Sequence, residues 1–278
     1  MAITAGQVKE LRDRTGAGMM DCKKALEESG GDMEAAIDLL RSRGTAKASK
    51  RAGKEASEGV VGLQIDASGT GALVELNCET DFVARTDDFQ GLANDLAEWL
   101  VGKGEDTGGS APGESLLEQQ FADGQTVGEK ITEVSAKTGE RIVVRRYACF
   151  KGENGTVSGY VHMTGKIGVL VELDGSVGED LARDVAMHIA AARPVAVSSE
   201  DVPADVVERE RSVYLEQVRN EGKPEQIQEK IVEGKLNKFF KEITLLEQPF
   251  VKDPDTTIRA LLGDSEARRF VRYELGED

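Results

Sequence analysis

The chain has 278 residues, with 35 Lys+Arg against 51 Asp+Glu, two His and three Cys. That length fits about two domains of ~100–200 residues or one large one, and the net charge of −16 excludes a generic phosphate-backbone binder, which needs a basic footprint. No apolar run approaches the ~18 residues of a membrane span, the N-terminal segment lacks a signal-peptide core, and three distant cysteines without Cys-x-x-Cys point to reduced thiols in a cytoplasm.

Residues 1–44 read as three short helices. Thr4 and Gln7 form a Thr-x-x-Gln capping box, followed by Val8 and Leu11 at helical spacing, and Gly16 and Gly18 break the helix. The second helix carries Met20, Cys22, Ala25 and Leu26 and ends at Gly30-Gly31. Asp32 caps a third, whose apolar face is Met33, Ala36, Ile37 and Leu40. Residues 41–54 hold six basic side chains (Arg41, Arg43, Lys47, Lys50, Arg51, Lys54) and no acidic one, leaving −22 for the rest of the chain. This stretch reads as a linker, helical or not, and is the one place suited to RNA; a solvated linker facing an acidic body is the simpler reading.

An internal repeat follows. Gly71-Ala-Leu-Val-Glu-Leu-Asn77 recurs as Gly168-Val-Leu-Val-Glu-Leu-Asp174. Each copy follows a β-like segment, over 60–66 and 157–163, and a glycine turn, and each precedes an apolar-striped helix, near 89–101 and 181–192. Each unit is therefore a hairpin plus a helix, an α+β half. Residues 141–150 supply a further strand, joined onward by Glu153-Asn154-Gly155. The copies differ in their strand-to-helix connections, residues 78–88 against 175–180. Such connections need ~2–6 residues, so the first has about five too many. The excess contains Thr80, Asp81, Phe82 and Val83, two apolar side chains in a polar setting. Two readings stay open: Phe82 tucks back onto its own domain, or it waits for a partner.

Residues 102–115 are Gly/Ser/Pro-rich and read as a flexible connection. Thr126 and Glu129 form a second capping box, with Gly139 at the far end of that helix. Two charged helices over 203–243, joined by Glu221-Gly-Lys-Pro224, predict an antiparallel hairpin, with Val206/Val213 and Val207/Tyr214 paired at a spacing of seven and Ile227, Ile231, Leu236 and Phe239 on the second helix. Residues 245–278 return to the body, with a last strand over 270–275.

No phosphate-binding loop, nucleophile elbow or metal-ligand spacing appears, so no catalytic or metal-binding residue is assigned. His188 lies between Met187 and Ile189 and reads as a packed core histidine, whereas His162 is more open beside a turn. Cys78 reads as a buried small hydrophobe.

Arg14-Thr-Gly-Ala-Gly-Met-Met-Asp-Cys-Lys-Lys-Ala-Leu26 resembles the N-terminal signature of the bacterial elongation factor Ts family, and Asn77-Cys-Glu-Thr-Asp-Phe-Val-Ala84 resembles its second signature. Ala186-Met-His-Ile-Ala190, Gly222-Lys-Pro224, Val232-Glu-Gly-Lys235 and Gln248-Pro-Phe-Val251 are similar to that family too, in order along nearly the whole chain. The resemblance implies a guanine-nucleotide exchange factor for elongation factor Tu, with no cofactor, no enzymatic step, no membrane and no direct nucleic-acid contact. It implies an α+β fold: a UBA-like three-helix module and linker over 1–54, core subdomains over 55–140 and 141–202, a coiled-coil hairpin over 203–243, and a return to the core over 244–278. Thr80, Asp81, Phe82 and Val83 would disturb the partner's Mg²⁺ site, with Phe82 wedged between partner helices. Met19 and Met20 would touch the GTPase domain, and His162 would lie on the core surface. The assembly would be one-to-one, a homodimer, or two-plus-two with the partner. Longer members continue past the position of Glu277-Asp278 into a further helical module, whose contacts would be absent here, and the stretch His162-Met-Thr-Gly-Lys-Ile167 is one residue longer than the family pattern. The alternatives are an RNA- or ribosome-associated protein using residues 41–54, from Arg41 to Lys54, and an α+β enzyme using Cys78 or His162.

Overall fold

Three helices open the chain: α1 (Ala5–Thr15), α2 (Met19–Glu28) and α3 (Met33–Arg51). α1 begins on the expected capping box, in which Thr4 Oγ1 accepts from the Gln7 N–H and Gln7 Oε1 accepts from the Thr4 N–H at 3.0 Å. It ends at Gly16, whose φ of 66° is a left-handed conformation that glycine adopts freely. Asp32 Oδ1 caps α3 by accepting from the Ala35 N–H at 3.0 Å. Leu11, Cys22, Ala25, Leu26 and Ala36 form the small core between these helices. In this computed structural model the described residues are 3–153, 155–175 and 177–277, without the side chains of 45, 47–50 and 123. Of the residues named above, Asn154, Asp278 and the side chains of Lys47 and Lys50 lie outside that description.

Of the two forms left open for the basic stretch, the helical one is found: α3 continues past residue 44 to Arg51. Packing explains this, since helices gain most of their stability from tertiary contact. α3 lies against α6 (Val127–Thr138), close enough that a Cβ on Gly44 would sit 3.0 Å from Ala136 Cβ. Arg41 pairs with Glu129 on α6 and Arg43 with Glu28 on α2.

The body contains two matched halves. In the first, β1 (Glu58–Ile65) and β2 (Thr70–Cys78) precede the short α4 (Asp81–Ala84) and the long α5 (Asp87–Lys103), with β3 (Ala111–Pro112), α6 and β4 (Val143–Lys151) after them. In the second, β5 (Gly155–Val161), β6 (Ile167–Asp174) and α7 (Glu179–Ala192) are completed, after a long excursion, by β9 (Ala267–Glu274). The sheets run β1-β2-β4-β3 and β5-β6-β9, with antiparallel pairing throughout. The repeated heptapeptides lie in the central strands β2 and β6. Both ladders slip register at the same place, after Glu75 and after Glu172.

The third strands repeat as well. Arg145-Arg146-Tyr147 on β4 matches Arg268-Arg269-Phe270 on β9, and Glu75 faces Arg146 as Glu172 faces Arg269. Each arginine Nε is 2.7 Å from its glutamate, and each guanidinium stacks on a ring from the other half: Arg146 over Tyr273 at 4.6 Å and Arg269 over Phe150 at 4.2 Å. The sheets meet through Val61, Leu73, Val157, Leu170 and Val271. A Cβ on Gly168 would lie 2.4 Å from Val61 Cγ1, and one on Gly71 would lie 2.7 Å from Val157 Cγ1. Each repeat therefore opens on glycine because the facing sheet leaves no room for a side chain. α5 covers the outer face of the first sheet and α7 that of the second, making an α+β arrangement of helix, sheet, sheet, helix.

The Gly-rich connection over 102–115 is pinned rather than free. The Thr107 N–H donates to Cys149 O at 2.9 Å, β3 pairs with β4, and Asp106 takes the Arg269 guanidinium at 2.7 Å. α8 (Ala204–Asn220) and α9 (Glu225–Ile243) pack on each other through Val218, Val232 and Leu236, with Val207, Tyr214, Ile231 and Phe240 beside them. Val213 and Ile227 fall outside that seam, exposed to water. β7 (Pro249–Phe250), β8 (Asp253–Thr257) and α10 (Ile258–Leu262) then bring Phe250, Ile258 and Leu262 into the second core. Among the described residues, no helix is long and apolar enough to cross a membrane.

Candidate functional site

Residues 79–86 link β2 to α5, eight residues where the second half uses the four residues 175–178. The extra length is an ordered turn, not an open loop. Thr80 caps α4, its Oγ1 accepting from the Val83 N–H at 3.4 Å. The Thr86 hydroxyl donates to Val83 O at 2.8 Å, and Thr86 in turn caps α5.

Two carboxylates clamp the entry to this turn. Glu140 Oε2 accepts from the Glu79 and Thr80 N–H groups at 3.1 and 3.0 Å, and Glu140 Oε1 accepts from the Thr80 hydroxyl at 2.6 Å. Glu79 Oε1 accepts from the Arg141 N–H and the Arg51 guanidinium, each at 2.7 Å. These bonds, the Arg141 amide first, hold the Glu79 carboxyl below its ordinary pKa. Arg141 also donates to Lys54 O at 2.5 Å, so the end of α3 is tied to the base of the turn. Glu79, Glu140, Arg51 and Arg141 escape a reading by spacing because Glu140 and Arg141 lie 60 or more residues, and Arg51 lies 28 residues, from the turn they hold.

On this base Val83 packs half-buried against the first core and Ala84 is buried, while Phe82 is 80% exposed. Phe82 therefore does not tuck back onto its own domain. Asp81 pairs with Arg85 at 2.9 Å, one helical turn on. Met19 and Met20 lie exposed at the start of α2, in the N-terminal helices. His162 is half-buried in the β5–β6 turn, its Nδ1 accepting from the Thr164 N–H at 3.3 Å. That turn is fixed to the first half, because the Val61 N–H donates to Gly165 O at 2.8 Å and Lys166 pairs with Glu58 at 2.7 Å. Met163, at its tip, is 94% exposed; sequence reasoning passed over it in favour of its neighbour.

The residues considered for chemistry are engaged otherwise. Cys78 is buried, and desolvation, with the charge of Glu140, pushes its thiol up to about 12. A nucleophile needs the reverse shift. His188 is buried, with Nε2 3.0 Å from Gln248 Oε1 and Nδ1 accepting from the Val251 N–H at 3.3 Å. That assigns the proton to Nε2, and burial lowers the ring's pKa. It is the packed histidine that the sequence implied. Among the described residues no cluster of His, Cys, Asp and Glu is arranged to hold a metal. Arg41, Arg43 and Arg51 are spent on Glu129, Glu28 and Glu79, which reduces the charge that the basic stretch can offer to RNA.

A family model described as Elongation factor TS matches residues 79–277. The chain is 49% identical over 281 residues to an elongation factor Ts of Alkalilimnicola ehrlichii, covering all of this chain and 93% of the relative. It is 48% identical to those of Hydrogenovibrio crunogenus and Methylococcus capsulatus, again over all of this chain and 92% and 93% of theirs. With two ordered signatures, a duplicated α+β body and this extent of identity, the chain belongs to the elongation factor Ts family.

Proposed function

We propose that this chain, as an elongation factor Ts acting in translation elongation, promotes GDP release from elongation factor Tu by setting the turn over residues 80–83 beside the partner's Mg²⁺ site. Phe82 is the wedge in this reading, with Asp81 beside it and Thr80 and Val83 holding it in place. The observation that supports this is a large apolar ring 80% exposed on a turn whose backbone is hydrogen-bonded at both ends. A turn whose backbone is already held loses little further backbone freedom when a partner covers it.

GDP and Mg²⁺ order the switch regions of a GTPase. A factor that binds the nucleotide-free form best must weaken nucleotide binding by the same ratio in which nucleotide weakens its own binding. Mg²⁺ neutralises the phosphate oxygens that it bridges, so displacing it speeds departure of the diphosphate. The scheme gives this chain no bond to make or break and no cofactor, and it does not favour GTP over GDP; nucleotide concentrations do that.

In the same reading residues 1–54 are a UBA-like docking module that places Met19 and Met20 on the GTPase domain. Residues 55–140 and 141–202 are the core subdomains, the second presenting His162. Residues 203–243 are a coiled-coil arm, and residues 244–278 return to the core. The place of work is the cytoplasm, where the partner is. Native mass measurement distinguishes a one-to-one from a two-plus-two complex. The test is fluorescent GDP loaded on the partner and mixed with substoichiometric chain in a stopped flow. Fast release that Phe82→Ala slows is expected; release unchanged by Phe82→Ala refutes the reading.

A further inference from the structure

We propose that Glu140 is a positioning residue for nucleotide release, its carboxylate holding the turn that aims Phe82 and Asp81. The inference rests on the reading of that turn given above.

β2 ends at Cys78, so the N–H groups of Glu79 and Thr80 lie beyond the named strand and need another acceptor. Two backbone N–H groups and the Thr80 hydroxyl converge on Glu140 within 3.1 Å. The two acceptor oxygens of one Glu140 side chain meet all three donors at once. Glu140 is itself set by the segment it belongs to. Gly139 closes α6 with a φ of 76°, the Glu140 N–H donates to Thr138 Oγ1 at 3.4 Å, and the Arg141 N–H is taken by Glu79 at 2.7 Å. The side chain of 140 thus grips the backbone of 79 and 80 while the side chain of 79 grips the backbone of 141. Phe82 follows two residues later, and the exit from the turn is held separately by the Thr86 hydroxyl on Val83 O. Remove Glu140 and the exit stays tied while the entry keeps only the Glu79 side chain on Arg141 and Arg51, so the backbone at 79 and 80 can rotate and swing the ring without unfolding either core.

The test uses the full chain with Glu140→Ala, Glu140→Asp and Glu140→Gln, read by stopped-flow release of fluorescent GDP from the partner over a range of chain concentrations. Misplacing a working group by about 1 Å commonly costs ~10²-fold, so Glu140→Ala is expected to lower the maximal release rate by about tenfold to a hundredfold. The half-saturating concentration on the GDP-loaded partner should stay within about twofold, since docking precedes the wedge. Glu140→Asp keeps the charge and withdraws it by one methylene, and should slow release as Ala does. Glu140→Gln loses the charge but keeps the reach, with its oxygen for the two N–H groups and its amide for Thr80 Oγ1, and should stay within about threefold of the parent. Amide exchange should rise over 79–83 in the Ala and Asp proteins and nowhere else. The opposite ranking, Asp active and Gln slow, overturns the proposal in favour of a charge effect. Parent-like release from all three variants, while Phe82→Ala is slow, overturns the clamp and leaves the turn reading intact. If Phe82→Ala is also parent-like, the turn reading itself fails.

Discussion

Replacing Phe82 by alanine separates folding from function, because the ring touches so little of its own protein. A Phe side chain offers ~200 Å²; at 80% exposure it leaves ~40 Å² against its own chain and ~160 Å² for a partner. At ~25 cal/mol per Å², these areas correspond to ~1 kcal/mol of folding stability and a ceiling of ~4 kcal/mol in a complex. Ordering and imperfect fit reduce the second figure, and central aromatic anchors typically cost ~2 kcal/mol or more on truncation, about thirtyfold in affinity. Phe82→Ala should therefore melt within about 4 °C of the parent, yet bind the nucleotide-free partner about thirtyfold more weakly and release GDP more slowly. Leu73→Ala is the contrast. Leu73 is fully buried between the sheets, and its truncation should cost ~2–5 kcal/mol of stability. Thermal unfolding, titration of the nucleotide-free partner and stopped-flow release measure the three quantities. A Phe82→Ala protein that melts as early as Leu73→Ala, or that keeps parent affinity for the nucleotide-free partner, refutes the reasoning.

Deleting residues 1–54 should leave a core with its own cooperative unfolding transition by circular dichroism and much weaker association; parent-like association would refute a docking role. Replacing residues 204–243 with a short linker should leave GDP release measurable, because α8 and α9 satisfy each other through Val218, Val232 and Leu236; complete loss from a folded deletion would place the arm in the working surface. The Arg269 guanidinium holds Asp106 down to about 2 from its ordinary 3.8, so this group's contribution to stability is present above about pH 4 and is lost as pH falls toward 2. Asp106→Asn should therefore be less stable than the parent at pH 6, with the gap narrowing between pH 4 and 2 in acid titrations of the denaturation midpoint. Cys22, Cys78 and Cys149 are buried, so a thiol reagent at neutral pH should react slowly with the native chain and fully in denaturant; rapid native labelling of Cys78 would reopen nucleophilic chemistry.

The heptapeptide repeat shows two strands of each half and the helix after them, because those elements are contiguous and their apolar pattern is dense. It does not show the third strands. Arg145-Arg146-Tyr147 and Arg268-Arg269-Phe270 are short, and the second is cut off from its half by α8, α9 and the return through Phe250 and Ile258. What fixes their place is cross-strand pairing with Glu75 and Glu172, a contact that no local period encodes. The residues over 41–51 stay undecided in the sequence for a related reason. A basic, small-residue stretch leaves helix and open linker both available when seen alone, and is a helix because Gly44 lets it lie on Ala136 and because Glu28, Glu79 and Glu129 take its arginines.

The turn over 79–86 divides in the same way. Its excess length is visible by comparing one half of the chain with the other, since length is a local property. The direction of Phe82 is not local. It depends on whether the backbone at Glu79 and Thr80 is held, and the groups that hold it, Glu140, Arg141 and Arg51, come from two other segments. That dependence bears on function. An exposed ring on a free loop would have to be ordered at each encounter, at ~1–2 kcal/mol per residue, whereas here the ordering is completed when the protein folds. The same bonds also join the end of α3 to the turn, through Arg51 on Glu79 and Arg141 on Lys54 O. If, as proposed, the partner docks on the N-terminal helices at Met19 and Met20, it would meet the turn in a set direction, and coupling of that kind would let one contact surface aim the other.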